Sequence, residues 1–324
     1  MTRLGRFLLL AAFSATVLAA DGNTTASDAN TQPIGGYVPK KAPAVIALIL
    51  YAISGAVHWF HFVTATPRQR FLLILPLGMT AMAIGFVLRL IYSNPPFTIG
   101  KYTIMTLFIL LSPCLFLATD YVLLSHLART FDAEIADRCL LIRDSRITKI
   151  FVWSDVSTFL LQSGGSGISA SHNPSTAKLG TDIALVGLIL QAVSFGLFTI
   201  ILLVFAFRVQ KHFPDAWRPK NPRPFKILSR EPIDDWRILF YMMCVTCVGI
   251  LIRSIFRVAE FAQGYSGYIT THEGFFYIFD TVPLWIAMTL YCVVWPTRAL
   301  VERPGHMELT TKSFLPAAPR THGP

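Results

Sequence analysis

Two segments of this 324-residue chain place ionisable side chains where they are costly. Arg253, Arg257 and Glu260 stand at i, i+4 and i+7 inside one apolar run, and Glu273, Tyr277 and Asp280 repeat that spacing at the head of the next. Each set is expected on a single helical face, and the two charged faces are expected to meet in a protein interior. A charge at the centre of a bilayer costs ~2.5–3.5 kcal/mol or more, so such groups are buried against one another and mark a substrate path, a gate or a lock between helices. Arg89, Asp120, Asp155 and Gln162, the last seven residues beyond Asp155 on the same face, lie in other runs and complete the set. Carboxylates can receive an ammonium, guanidiniums can hold a carboxylate, and exchange between such pairs can gate. Asp155 and Asp280 sit deepest in their runs and are the two expected to do more than join helices.

The elements that position these residues are membrane spans. Hydrophobic residues make up 53% of the chain and charged residues only 14%, and apolar runs of about 20 residues recur, the length that crosses ~30 Å of hydrocarbon. The expected architecture is all-α: a polytopic membrane protein with a seven-transmembrane helix bundle. Its spans are read as Pro43–Val63, Phe71–Tyr92, Tyr102–Leu124, Ile150–Ile168, Ile183–Phe207, Ile238–Val258 and Phe275–Trp295. The fourth, with Asp155, several serines and Gly164-Gly165-Ser166-Gly167, is the one hydropathy alone would miss.

Ahead of the spans, Arg3 and Arg6, the apolar Phe7–Val17 and Leu18-Ala19-Ala20 read as a cleavable signal peptide over residues 1–20. Residues 21–42 would then be an exoplasmic segment in which Asn23-Thr24-Thr25 is a glycosylation sequon, residues 43–296 the membrane domain, and 297–324 a disordered cytoplasmic tail. With the N-terminus outside, nineteen basic residues fall in cytoplasmic segments and four outside, which orients the chain N-out and C-in. The net charge of +10 is thereby explained by topology and calls for no nucleic acid. The secretory route makes the plasma membrane the expected destination, with its other membranes as alternatives.

No phosphate-binding loop, GxSxG elbow or HExxH pair occurs, so no enzyme, no cofactor and no metal is expected. Cys244-Val245-Thr246-Cys247 on an apolar helix reads as packing, and His58 and His61 read as interfacial residues. The partners expected are membrane lipids or amphiphilic small molecules.

Several ordered blocks resemble one family. Arg253-x3-Arg257-x2-Glu260, Gly264-x2-Gly267 and Glu273-x3-Tyr277-x2-Asp280 are similar to the signature of the fungal RTA-like, or lipid-translocating exporter, family. Gly85-Phe86-x2-Arg89, Ser112-Pro113 with Ala118-x2-Tyr121, Phe151 with Asp155-Val156, Gln162 and Gly164-Gly165, and Gly187 with Gln191 agree in order, so the resemblance spans Ala42 to Pro296. It departs at Met82, where the family often has glutamate, and at Phe86, usually tyrosine. Arg89 must then pair elsewhere, with Glu260 or Glu273. The resemblance implies export or transbilayer movement of sphingoid long-chain bases and other amphiphiles, with resistance to toxic lipids; some relatives are linked to porphyrin handling. An ammonium headgroup would be taken up near Asp120 and Asp155 and released near Glu273 and Asp280. Asp280→Asn is then expected to abolish resistance while surface expression persists. The alternatives are a seven-helix receptor or sensor for an amphiphile, although Asp120-Tyr121 and the seventh span lack the best-known receptor motifs, and an architectural protein of lipid homeostasis.

Overall fold

Thr98, Asn173 and Asp235 each stand just before a long run of helix formers, and each side-chain oxygen accepts a hydrogen bond from a backbone amide of the first turn. These caps start three of seven long helices in the computed structural model, which describes residues 38–65, 69–131, 135, 138–142, 144–169, 173–217, 233, 235–264 and 267–300. The helices are α1 (Lys41–Thr64), α2 (Ile74–Tyr92, led in by a 3-10 turn at Arg70–Leu73), α3 (Ile99–Arg129), α4 (Asp144–Ser169), α5 (Pro174–His212), α6 (Trp236–Gln263) and α7 (Val282–Val293). Among the described residues there is no strand. The signal peptide, the sequon at Asn23 and nearly all of the tail lie outside the described residues.

Six helical stretches are long and apolar enough to cross a membrane, the sixth being α7 taken together with its lead-in, Glu273–Val293; α4 is too polar to join them, although it is 26 residues long. Each long helix packs on its neighbours in sequence, and α7 returns to α1, so the bundle closes on itself. Its middle belongs to α3, the most buried of the six, which also touches α5 and α6. Outward faces are apolar: Val186, Val193, Leu197, Ile200, Leu203 and Phe207 form an exposed stripe along α5, as contact with acyl chains requires. Beneath lies an aromatic core in which Tyr121 meets Phe151, Phe195 and Phe198.

Close approach is built in at two places. A Cβ on Gly165 of α4 would stand 2.7 Å from the carbonyl oxygen of Gly180 in α5. One on Gly249 of α6 would meet the carbonyl oxygen of Pro283 at 2.9 Å, so α6 and α7 nearly touch one turn before Arg253. Ahead of α7, Glu273–Phe275 leads into a widened π-helical turn at Phe276–Thr281, directly before Val282-Pro283. Proline supplies no amide to an α-helical bond, so the turn before it is free to widen.

Five helices overrun the expected spans, whereas α2 starts at Ile74 behind a 3-10 turn and α7 covers only Val282–Val293 behind the π-helical turn. α3 begins at Ile99 and runs to Arg129, and α5 covers Pro174–His212, because their caps sit beyond the apolar runs that hydropathy detects. His58 is a correction: it is wholly buried rather than interfacial, its Nδ1 lying 2.7 Å from the carbonyl oxygen of Ser54 and 3.0 Å from Cys292 Sγ, between α1 and α7. His61, one turn on, stacks against Trp295.

Candidate functional site

Because successive long helices alternate in direction, the last turns of α2 and α6 and the approach to α7 converge at one end of the bundle. Arg89, Arg253, Arg257, Glu260, Glu273 and Asp280 assemble there. Asp280 is the hinge of the cluster. Its Oδ1 accepts from Arg253 Nε at 2.9 Å and from Arg257 Nε at 2.7 Å, and the residue is wholly buried. Its Oδ2, also buried, accepts no hydrogen bond. Arg257 reaches back along α6 to Glu260, Nη1 to Oε2 at 3.0 Å.

A second pair lies beside the first. Arg89 Nη2 donates to Glu273 Oε1 at 3.0 Å, across α2 and the approach to α7. Of the two carboxylates expected to serve Arg89, it meets Glu273. Glu273 also accepts from the Tyr277 hydroxyl at 3.3 Å and from the Lys40 backbone amide at 2.8 Å, which ties in the start of α1. Phe276 joins the pairs: the Arg89 guanidinium carbon lies 4.5 Å from its ring centre and that of Arg257 5.2 Å. Cation–π contacts with desolvated guanidiniums contribute about 2 kcal/mol at best. Tyr51 of α1 donates to the carbonyl oxygen of Thr281 at 2.9 Å, bonding to the widened turn.

Glu273, Tyr277 and Asp280 therefore do not act as one face. In an α-helix, positions i and i+7 superpose, but one extra residue in a turn offsets what precedes it by about 100°. The π-helical stretch accounts for Glu273 serving Arg89 while Asp280 serves Arg253 and Arg257.

Asp120 and Asp155 are not brought together by any hydrogen bond or ion pair among the described residues. Asp120 of α3 is wholly buried and accepts from Tyr291 at 2.7 Å and Thr246 at 3.0 Å, a knot of α3, α6 and α7. Asp155 of α4 is 2% exposed, and its oxygens make no well-formed hydrogen bond, the Tyr121 hydroxyl beside it being the nearest donor. Gln162 Nε2 donates to Gln191 at 2.9 Å, and Gln191 in turn to Cys114 Sγ at 3.5 Å. Sequence reasoning missed Thr246, Tyr291, Tyr51 and Phe276. Hydroxyls in the middle of apolar runs were the available signal for the first two, since a buried hydroxyl seeks an acceptor. Tyr291→Phe is expected to lower stability by about 1–3 kcal/mol, the worth of a bond to a buried acceptor, read as a shifted unfolding midpoint of detergent-solubilised protein.

Two cavities flank the cluster. The larger, about 100 Å³, is lined from α2, α3, α5 and α6, and Arg89, Arg257 and Glu260 share its lining with Tyr92, Tyr102, Met105 and Ile109. The smaller, about 20 Å³, has Gln162, Gln191, Arg253 and Arg257 in its lining. Leu110 and Arg257 line both.

A helical bundle with an apolar outer surface and a buried network of arginines and carboxylates at one end defines a multi-pass integral membrane protein. The chain belongs to the RTA1-like protein family, which matches residues 75–303. It is similar to Protein RTM1 of Saccharomyces cerevisiae, 32% identical over 70% of this chain and 69% of the relative. It is also similar to Protoporphyrin uptake protein 1 of the same yeast, 30% identical over 67% of this chain and 65% of the relative. A third yeast relative is the sphingoid long-chain base transporter RSB1, 25% identical over half of each chain. No solved structure matches the chain.

Proposed function

We propose that this protein moves amphiphilic small molecules, sphingoid long-chain bases or related lipids, across the bilayer as a non-enzymatic seven-span translocator oriented N-out and C-in. The observation that carries the reading is the larger cavity, whose lining combines Arg89, Arg257 and Glu260 with aromatic and aliphatic side chains. Such a lining suits a polar headgroup together with the adjoining part of an alkyl chain. Relatives named for a long-chain base and for protoporphyrin, both amphiphiles, support the class of cargo. In this reading α4 is the seventh span, its polar face turned inward, and the basic loops set the orientation. The destination is the plasma membrane.

The cluster narrows which carboxylate meets an ammonium. Asp280 and Glu273 are occupied by arginines and Asp120 by hydroxyls. Glu260 lines the cavity, bound to Arg257 alone among the hydrogen bonds of its side chain described. An incoming ammonium would share the Glu260 carboxylate with Arg257 while the chain lies along Tyr92, Tyr102 and Ile109.

Reconstitution into liposomes with a fluorescent long-chain base tests this. Protein-dependent flipping is expected, and Glu260→Gln is expected to slow it by about tenfold, the worth of one charge-assisted hydrogen bond. Binding of the base without flipping would instead identify a receptor or sensor. Neither binding nor flipping would leave an architectural role.

A further inference from the structure

Asp155 is the anomaly among the membrane carboxyls. Glu260, Glu273 and Asp280 each face an arginine, and Asp120 has two hydroxyl donors. Asp155 makes no ion pair among the described residues; it is 2% exposed, and neither of its buried oxygens makes a well-formed hydrogen bond. It lies eleven residues past Asp144, about 16 Å along α4 and so near mid-depth.

We infer that Asp155 is a proton-binding site that couples movement of the amphiphile to a proton gradient. An ionised carboxyl with no counter-charge and a single neighbouring hydroxyl is far costlier in a dry interior than its neutral acid, so the resting group carries a proton. The helices packed on α4 supply nothing that would change this. From α3 come Tyr121 and, one step removed along the same helix, Cys114 and Asp120. From α5 come Phe195 and Phe198, packed against Tyr121, with Gln191 beyond. Thr158 of α4 turns its hydroxyl to the carbonyl oxygen of Asp155 itself. This set cannot hold a sodium ion, which needs several converging oxygens where Asp155 has only the Tyr121 hydroxyl nearby.

Asp155 is linked to the charged cluster through its own helix: Gln162, seven residues further along α4, borders the smaller cavity that Arg253 and Arg257 also line. The Cys114–Gln191–Gln162 chain ends at this cavity, and about 20 Å³ is room for one water. Arg257 then forms part of the wall of the larger cavity. When the site opens to one side, a hydronium ion gives one proton to an Asp155 oxygen, its O–H bond breaking as the carboxyl O–H forms; when the site opens to the other side, the carboxyl returns that proton to a water molecule, and no electrons are exchanged. Loss of that proton creates a buried negative charge that draws on Arg253 and Arg257, which gives the cargo site a means to sense the proton site.

The protonation half stands by itself, and the coupling half rests on the transport reading above. Infrared spectra of the lipid-reconstituted protein, recorded between acid and alkaline pH, are expected to show a protonated-carboxyl C=O band that shifts in D2O. Asp155→Asn should lack it and Asp155→Glu should retain it at a displaced frequency. Identical spectra for wild type and Asp155→Asn would overturn the protonated site. In liposomes, inverting an imposed pH gradient should change wild-type flipping of a fluorescent long-chain base at least about fivefold, the scale of a modest coupling free energy. Asp155→Asn should flip the base down its own gradient and ignore pH. A wild type that flips but disregards the gradient refutes the coupling, whereas a wild type that never flips refutes the transport reading and leaves the infrared result to decide Asp155.

Discussion

Asp280→Ala is expected to be the most destructive single change in the molecule, lowering stability by about 3–5 kcal/mol. The loss comes less from a missing attraction than from what is stranded. Arg253 has a 5% exposed side chain and bonds to Asp280, so its guanidinium would be left with an uncompensated charge. Arg257 would keep only Glu260. The measurement is the unfolding midpoint in detergent together with the amount reaching the cell surface, and wild-type values for both would refute the assignment. Arg253→Met in the Asp280→Ala background should recover part of the loss, because it removes the orphaned charge. Asp280→Asn should do less harm than alanine, since the amide oxygen can still accept one bond. Surface expression is therefore not expected to survive Asp280→Asn unaltered, as the position in the sequence alone had implied. A loss of resistance in that variant would speak of folding as much as of transport, which is why Glu260 is the better probe of cargo.

The second large effect belongs to Arg89 and Glu273. Arg89→Met leaves Glu273 with only neutral donors, Tyr277 and the Lys40 amide, and Glu273→Gln leaves Arg89 against Phe276 with a weakened acceptor. Each single change is expected to cost about 3 kcal/mol, yet the double variant should cost clearly less than the sum, because no unpaired charge remains. Additive losses in thermal unfolding would show that the pair is not coupled. The Lys40 amide makes the result extend further: Glu273 holds the start of α1, so its loss should also expose that segment to protease.

Much of this site was legible in the order of residues, and the reasons it was only partly so are physical. The i, i+4, i+7 spacing correctly gathers Arg253, Arg257 and Glu260 at one end of α6, where Arg257 meets Glu260. The same spacing misleads at Glu273, Tyr277 and Asp280, because it assumes 3.6 residues per turn and the chain widens at Phe276–Thr281. A proline two residues beyond that turn was the readable warning. Hydropathy located the apolar runs and missed the helix ends, since it reports what faces hydrocarbon and is blind to the caps at Thr98 and Asn173. It also ranks α4 low, although Asp155, Gln162, Ser163, Ser166 and Ser169 are buried against neighbouring helices. His58 was misread for the opposite reason: a polar residue near a span end looks interfacial until a partner such as Cys292 on another helix covers it.

The six formal charges at the head of the bundle, three guanidiniums and three carboxylates, sum to zero. A transmembrane voltage acts on net charge, about 2.3 kcal/mol per elementary charge per 100 mV. Any rearrangement that carries these pairs together through the field is electrically silent. A membrane potential therefore neither favours nor opposes such a movement of the cluster.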